Sequence, residues 1–233
     1  MTGSAPTDLS TLSTADIPLA LFDLHHEMRV GQSAAVDLPA LKPNDRTALI
    51  EGAGFSTVAS TTDRHVLRRE RTLADTTAPR LRLLMAGLNP SLTAADLGYG
   101  FASPSNRFWK AAVTSGLVTR PRDPRSIAVI DRVGMTDLVK RATPKAADVN
   151  RDEFVAGVAR LERIARLFQP GVICVAGVTG WRAATGGPAA LGRQPDLLGG
   201  CPVYVMPNPS GLNAHTNHDD LVRHFTAVLD IEE

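Results

Sequence analysis

The chain has 233 residues, 43% of them hydrophobic, a formal net charge of +1 at neutral pH and two cysteines. This length and apolar content suffice for one large domain, or for one domain with an appendage. Two cysteines are too few for the thiolates that an iron–sulfur cluster takes, and a structural zinc site is equally disfavoured. We therefore expect no metal and no cofactor.

The sequence also bears on where the protein works. It contains no signal peptide and no run approaching the roughly 18 apolar residues of a membrane span. The expected location is the cytoplasm, in association with the nucleoid if the source is bacterial, and no membrane partner is expected.

Charge is distributed unevenly along the chain. Residues 1–63 contain three Lys or Arg against eight Asp or Glu, whereas residues 64–233 contain 22 against 16. The basic part would suit a polyanionic partner such as DNA, whose affinity depends on phosphate contacts. It would equally suit an ordinary solvated surface.

The N-terminal third predicts a small separate unit. Residues 1–16 are rich in Ser, Thr, Ala and Pro, which predicts a disordered tail. The following elements are predicted in order: an amphipathic helix over 17–28, a helix over 44–54, and strands over 55–59 and 65–73. The adjacent His25 and His26 are interpreted as solvated. Residues 17–78 are thus predicted to form an α+β appendage whose removal leaves the remainder active.

The next segment predicts a buried strand that ends at a pocket. An apolar run, residues 83–86, stops at Gly87, and Asn89-Pro90 then prevents helix and strand from continuing. Ligands of open α/β sheets bind just beyond the carboxyl ends of the strands. Asn89 is therefore a candidate pocket residue.

A second strand with the same kind of ending lies near the C-terminus. Residues 202–206 form an apolar run, and residues 207–215, PNPSGLNAH, follow it as a loop. Two strand ends, each followed by an Asn-Pro loop, would face one site from opposite sides.

Helical patterns separate and follow these strands. They predict a helix from Ser103-Pro104, a short helix to Val133, a long helix capped by Asn150, a strand over 172–176, a helix around Trp181 and a final helix over 217–231. This alternation predicts an α/β fold, a three-layer sandwich with a central, mainly parallel sheet flanked by helices. No Gly-x-Gly-x-x-Gly or Walker pattern follows a strand, which disfavours a nucleotide-binding protein.

The segments GLNPSL and NPSGLNAH resemble the two active-site motifs of the mismatch-specific uracil-DNA and thymine-DNA glycosylases. Residues 101–117, FASPSNRFWKAAVTSGL, resemble the same family, and the likeness runs from about Pro79 to the C-terminus. The resemblance implies that residues 79–233 form a uracil-DNA glycosylase-like domain.

The implied activity is that of a monofunctional DNA glycosylase. Such an enzyme flips uracil, and by extension other damaged pyrimidines, out of double-stranded DNA opposite guanine and hydrolyses the N-glycosidic bond, leaving an abasic site. We expect a monomer. The alternative is a protein that binds mismatches or abasic sites and has weak catalysis. The resemblance does not extend to the first seventy or so residues.

The resemblance also implies roles for residues of the first motif. Asn89 would hold a water molecule or bond the base edge, although an amide cannot take a proton as a carboxylate can. The corresponding residue of faster uracil glycosylases is an aspartate. Phe101 would stack on the flipped base, and backbone amides near Leu88 and Phe101 would read it. A core position is the alternative for Phe101.

The remaining implied roles concern DNA contact. Gly211-Leu212-Asn213 would form a wedge that enters the base stack, with Asn208 and Ser210 in the same loop. Family members often have Ser then Arg at the positions of Asn213 and Ala214. Arg107 and Lys110 would contact a phosphate near a helix start.

Asp96 is a further catalytic candidate, proposed from chemistry alone. It is the one carboxylate between Leu81 and Trp109, in a predicted loop bounded by Asn89 and Phe101. A carboxylate near the sugar would take a proton from the attacking water. The alternatives are a solvated loop aspartate, or one that caps the turn at Gly98.

Overall fold

The computed structural model describes residues 5–231, and two sheets organise this part of the chain. The first sheet has four strands in the spatial order β1, β2, β4, β3, namely β1 (Thr7–Asp8), β2 (Ser33–Asp37), β3 (Phe55–Ser60) and β4 (Arg64–Arg69). Two helices accompany it, α1 (Ile17–Glu27) and α2 (Pro43–Gly52). The helices and strands expected over residues 17–73 are therefore present, with shifted ends.

The structure corrects two expectations for this unit. Thr7–Asp8 pairs in parallel with β2 and Leu9 is buried, so the segment from Thr7 is ordered by backbone pairing despite its polar composition. Residues 1–4 of the expected tail lie outside the described residues. His25 is 1% exposed rather than solvated, because its ring packs edge-on against Phe55.

The second sheet is the centre of the molecule. Its five strands lie in the order β6, β5, β7, β9, β8, namely β5 (Leu83–Gly87), β6 (Val133–Asp137), β7 (Val172–Ala176), β8 (Gly192–Arg193) and β9 (Val203–Met206). All neighbours are parallel except the pair β8 and β9. Every residue of the four parallel strands is buried, as expected for a sheet covered on both faces.

Helices cover this sheet, which confirms the three-layer α/β fold. They are α3 (Leu92–Leu97), α4 (Phe108–Thr114), α5 (Pro124–Ser126), α6 (Arg151–Phe168), α7 (Val178–Thr185) and α8 (His218–Leu229), with a π turn (Ile127–Asp131) after α5 and a 3-10 turn (Ala146–Asp148) before α6. Helix α6 begins with a capping box between Asn150 and Glu153. Over the described residues, no helix combines the length and apolar content of a membrane span.

The two sheets are not independent units, because they share a hydrophobic core. One continuous cluster contains Ile17 and Phe55 from the N-terminal part and Leu84 and Ile164 from the larger part. We therefore correct the interpretation of residues 17–78 as an appendage.

Residues 72–77, which we call the bridging segment, connect the two sheets and are buried throughout. Thr76 pairs with the outer edge of β6: its N–H donates to the Met135 carbonyl at 2.9 Å, and its Oγ1 accepts from the Met135 N–H at 3.0 Å. The bridging segment thereby covers a strand edge that would otherwise be open.

Candidate functional site

The loop after β5 holds Asn89 in one orientation. Its Nδ2 donates to Thr143 Oγ1 at 2.7 Å and to the carbonyls of Pro90 and Arg141 at 3.1 and 3.2 Å. Thr143 Oγ1 donates its own proton to the Lys145 carbonyl, so it acts as the acceptor toward Asn89. Every group around Nδ2 is an acceptor, which leaves Oδ1 as the end of the amide available to a ligand.

Asp137 lies beside this loop at the end of β6. It is the register partner of Gly87, the last residue of β5. A Cβ placed on Gly87 would come within 2.4 Å of Asp137 Oδ1 and 3.8 Å of Phe101 Cζ, so glycine is required for this close approach. Asp137 and Phe101 thus both lie against the strand end that leads into Asn89.

Burial changes the acidity of Asp137. Within residues 5–231, no group donates a hydrogen bond to its carboxylate. Burial raises the pKa of Asp137 to about 6, with Asp75 adding to the rise and Lys140 and Arg160 opposing it. The side chain is therefore divided between its neutral and ionised forms near neutral pH, a property common among catalytic acids and bases.

Phe101 closes the same space from the other side. Its backbone has φ of 56°, which is uncommon for a residue with a side chain, and its ring stacks on Phe108 at 4.0 Å between centroids. Trp109 Nε1 donates to the Gly100 carbonyl at 3.0 Å and so anchors the loop. A cavity of about 20 Å³, enough for one water molecule, remains between Phe101, Gly100 and Asp137.

The side chain of Leu88 is engaged in packing within the protein. Its side chain packs on α7, where the close approach excludes side chains at Gly177 and Gly180. Its carbonyl accepts from the Val139 N–H at 2.9 Å. Contact with a base is therefore left to its backbone N–H.

The second motif forms a tight loop with one projecting side chain. Asn208 Oδ1 accepts from the Ser210 N–H at 2.9 Å, and Ser210 Oγ accepts from the Leu212 N–H at 3.3 Å. A Cβ on Gly211 would lie 2.5 Å from that of Ser105, so the loop sits directly on the neighbouring segment. Leu212 is 95% exposed, the highest value among the exposed large hydrophobic residues.

Arg107 anchors this loop, which corrects its expected role as a phosphate ligand. Its guanidinium donates to the carbonyls of Ser210 and Asn213 at 2.8 and 2.7 Å and also to the Thr216 carbonyl. These bonds fill the face that a phosphate would need. Lys110, by contrast, is exposed on α4.

Asn213 also serves the loop internally. Its Nδ2 donates to the Asn208 carbonyl and to Thr216 Oγ1, both at 3.0 Å, and its Oδ1 accepts from the His215 N–H at 3.2 Å. In this arrangement its side chain is engaged in the loop and is not presented to an opposite base.

Asp96 is not in the loop expected from the sequence. It lies in α3, whose N-cap is Ser91, and its exposed carboxylate binds Arg71. The pKa of Asp96 is lowered, chiefly by the hydrogen bonds from Arg71, so the group is a weaker base than an ordinary aspartate. The cavity described above has Asp137, not Asp96, in its lining. We correct the catalytic assignment accordingly.

Asp137 is the residue that sequence reasoning missed. Strand β6 was not predicted, because Gly134, Thr136 and Asp137 interrupt the apolar pattern of VGMTD. A signal was present in the following Leu138-Val139, which extend the run of buried residues to Val139.

Comparison with known proteins gives two findings. The family model described as the Uracil DNA glycosylase superfamily matches residues 74–230, more than half of the chain. A solution NMR structure of a candidate uracil DNA glycosylase from Methanosarcina acetivorans is similar at 15% identity and a TM-score of 0.49, covering 70% of this chain and 98% of that one.

Proposed function

Because the chain belongs to the Uracil DNA glycosylase superfamily, we propose that it excises uracil opposite guanine from double-stranded DNA. Members of this superfamily are DNA glycosylases, hydrolases that act in base excision repair. The preference for a mismatched duplex, the monomeric state and the roles of individual residues are our proposal.

Cleavage of the N-glycosidic bond develops positive charge on the sugar and negative charge on the departing base. Asn89 acts at the sugar side, where Oδ1 accepts a hydrogen bond from the attacking water. Its amide is held by Thr143 and Arg141, so the oxygen is oriented before the substrate arrives. An amide at this position, in place of a carboxylate, is the feature shared with the mismatch-specific branch.

Asp137 acts on the base. An ionised carboxylate would repel the departing base anion, whereas the neutral acid donates a hydrogen bond to a base carbonyl oxygen and stabilises the charge that develops there. The pKa of about 6 keeps part of Asp137 neutral near neutral pH. We therefore propose that the protonated form is the active one.

Phe101 supplies the stacking surface for the base. The cavity beside it has room for only one water molecule, so entry of a pyrimidine displaces the loop that carries Gly100 and Phe101. Gly98, with φ of 78°, and Gly100 precede Phe101 and give this loop the freedom to move. Closure of Phe101 over the base follows.

Leu212 fills the gap that the flipped nucleotide leaves. A leucine that is 95% exposed has little packing role in the free protein, whereas between base pairs it is covered on both sides. The loop bonds made by Arg107 hold this side chain outward. Neither motif contains a lysine, so the proposed enzyme is monofunctional, without a Schiff-base step.

The observation that carries the proposal is the position of Asp137 and Phe101 against Gly87, two residues before Asn89. The test is single-turnover excision from duplexes containing U·G, U·A and T·G and from single-stranded uracil, over pH 5 to 9. We expect U·G to react fastest. Its rate should fall as the pH rises through about 6, because the neutral acid is lost.

Variants separate the roles. Asp137→Asn should keep substantial activity with a flatter pH profile, because an amide donates a hydrogen bond at every pH. Asn89→Ala should lose on the order of 10²-fold through misplacement of the water. A rate that rises through pH 6 in the wild type would contradict the acid role, and tight U·G binding without excision would favour the mismatch-binding alternative.

A further inference from the structure

The bridging segment contains a buried carboxylate, that of Asp75, which binds two cations. Asp75 is 3% exposed, and each of its oxygens has its own cationic partner: Oδ1 accepts from Lys140 Nζ at 2.6 Å and Oδ2 from Arg160 Nη1 at 2.7 Å. The N–H of Asp75 donates to the Gly52 carbonyl at 2.8 Å, at the end of α2. A Cβ on Gly52 would lie 2.6 Å from Oδ2, so α2 is fitted closely to this carboxylate.

Arg160 carries the connection to β6. This side chain, 8% exposed on α6, uses Nη2 to donate to Thr136 Oγ1 at 3.0 Å and to the Asp137 carbonyl at 2.5 Å. One guanidinium therefore joins the bridging segment to the strand end that presents Asp137. Arg160 therefore helps to hold the backbone from which the Asp137 side chain extends.

Lys140 makes the second connection, three residues after Asp137. Its ammonium binds Asp75, and its backbone carbonyl accepts from Thr72 Oγ1, so the bridging segment holds both the side chain and the backbone of Lys140. Asp75 thus binds both of the cations that act on Asp137.

We propose that Asp75 is a positioning residue of the active site: it binds Lys140 and Arg160, and Arg160 in turn binds the backbone of Asp137. The proposal rests on the function proposed above for that acid. It makes the bridging segment, which supplies Asp75 and is held to α2 through the Gly52 carbonyl, a component of the catalytic apparatus.

Three charged groups act on Asp137, and each comes from a different element. They are Asp75 of the bridging segment, Lys140 of the loop after β6 and Arg160 of α6; from the remaining side, the loop after α3 presents the uncharged rings of Tyr99 and Phe101. Asp75 raises the pKa of Asp137, whereas the two cations lower it. Without the negative charge of Asp75, the two cations alone act on Asp137 and should lower its pKa. Without Lys140, one cation, Arg160, remains to oppose Asp75, and the pKa of Asp137 should rise.

The test uses the full chain with Asp75→Asn, Lys140→Met and a control, Asp37→Asn. The control removes one carboxylate from an exposed ion pair with Arg64 in the same N-terminal sheet. The pKa of Asp137 is measured by ¹³C NMR titration of aspartate carboxyl groups, with Asp137→Asn identifying the signal. The single-turnover U·G profile is recorded for the same proteins.

We expect the pKa of Asp137 to fall in Asp75→Asn, to rise in Lys140→Met and to stay unchanged in Asp37→Asn. A shift of about one pH unit changes the rate about tenfold at pH values above the midpoint. A purely structural role would not move the two midpoints in opposite directions. Circular dichroism checks folding, and if Asp75→Asn does not fold, Asp75→Glu replaces it: the charge is kept but displaced, so the midpoint of Asp137 should still move, and an unchanged midpoint would overturn the proposal.

Unchanged midpoints, or midpoints that move in the same direction, would overturn the positioning role of Asp75. A failure of the proposed function has a different signature. In that case the NMR midpoints separate as expected, which supports the inference, while the rate profiles of all variants coincide and the acid role of Asp137 is lost.

Discussion

Asp96 and Arg71 form a bidentate ion pair, in which Nε and Nη2 of the arginine donate to the two carboxylate oxygens at 2.8 and 2.7 Å. Both side chains are about half exposed, at 53% and 46%. The pair joins α3 to the end of β4 on the surface. A carboxylate engaged in this way has neither the basicity nor the position that a catalytic base requires.

The first prediction is that Asp96→Asn retains the wild-type rate on U·G. Exposed ion pairs contribute little to stability, so folding should also be preserved. The matched control is Asp23→Asn, because Asp23 forms a bidentate pair of similar exposure with Arg125. A single-turnover rate for Asp96→Asn that falls far below that of Asp23→Asn would restore Asp96 as a catalytic candidate.

The second prediction concerns the exposed leucine. Leu212→Ala should slow excision from a duplex more than excision from single-stranded uracil, because the wedge stabilises only an opened base stack. Leu197→Ala is the control, since Leu197 is also an exposed leucine, at 60%. Equal losses on the two substrates would argue against a wedge, and the comparison requires only parallel single-turnover rates.

The third prediction concerns Arg107, which holds the loop that carries Leu212. Arg107→Met should resemble Leu212→Ala, with a larger loss on duplex than on single strand, because Leu212 is no longer held outward. Arg82→Met is a suitable control, since Arg82 also donates to two backbone carbonyls, those of Leu117 and Asp131. If Arg107 instead bound phosphate directly, its loss would reduce the salt dependence of binding to both substrates.

The fourth prediction follows from the raised pKa of Asp137. Between pH 3.8 and about 6, the folded protein keeps a proton on Asp137 that the unfolded chain releases, so this group lowers stability as the pH rises through that window. The loss is of order 3 kcal/mol above pH 6. Asp137→Asn should therefore be stabilised at pH 8 and close to wild type at pH 4, as measured by urea unfolding. An equal effect at both pH values would contradict this prediction.

The fifth prediction is that removal of residues 1–71 prevents cooperative folding of the remainder. The deletion removes Ile17 and Phe55 from the hydrophobic cluster that also contains Leu84 and Ile164, and so exposes apolar surface of that cluster to water. Near-ultraviolet circular dichroism and thermal unfolding would detect the loss of packing. A soluble fragment with a sharp transition and wild-type activity would show that the larger sheet has a sufficient core of its own.

The sequence by itself determined the elements that have a strong local signal. Apolar runs of β-branched and other large residues identified β5, β7 and β9, and the Asn150 cap with a helix-period stripe identified α6. The alternation of these elements was enough for a mainly parallel, three-layer fold. The Asn-Pro motif after β5 was sufficient to identify Asn89 as a candidate pocket residue, whereas Phe101 and Leu212 were identified through the resemblance to the glycosylase family.

Only the tertiary structure decided which polar groups are available to a ligand. Arg107 and Asn213 have the residue types of DNA ligands, but both are bonded within the loop after β9. Arg107 donates to the Asn213 carbonyl, 106 positions along the chain, and Asn213 donates to the Asn208 carbonyl, 5 positions away. Asp96 and Asp137 are both aspartates near the motifs in space or sequence. Burial and pairing distinguish them: Asp96 lies exposed in an ion pair with Arg71, whereas Asp137 lies buried beside Phe101.

The position of the N-terminal part was likewise decided by packing. Its secondary structure was largely predictable from local patterns, but its attachment depends on contacts between residues far apart in sequence. The ion pair between Asp75 and Arg160 spans 85 positions. Such contacts have no periodicity or spacing that a single sequence records, because they form only when the bridging segment, β6 and α6 meet in the folded chain.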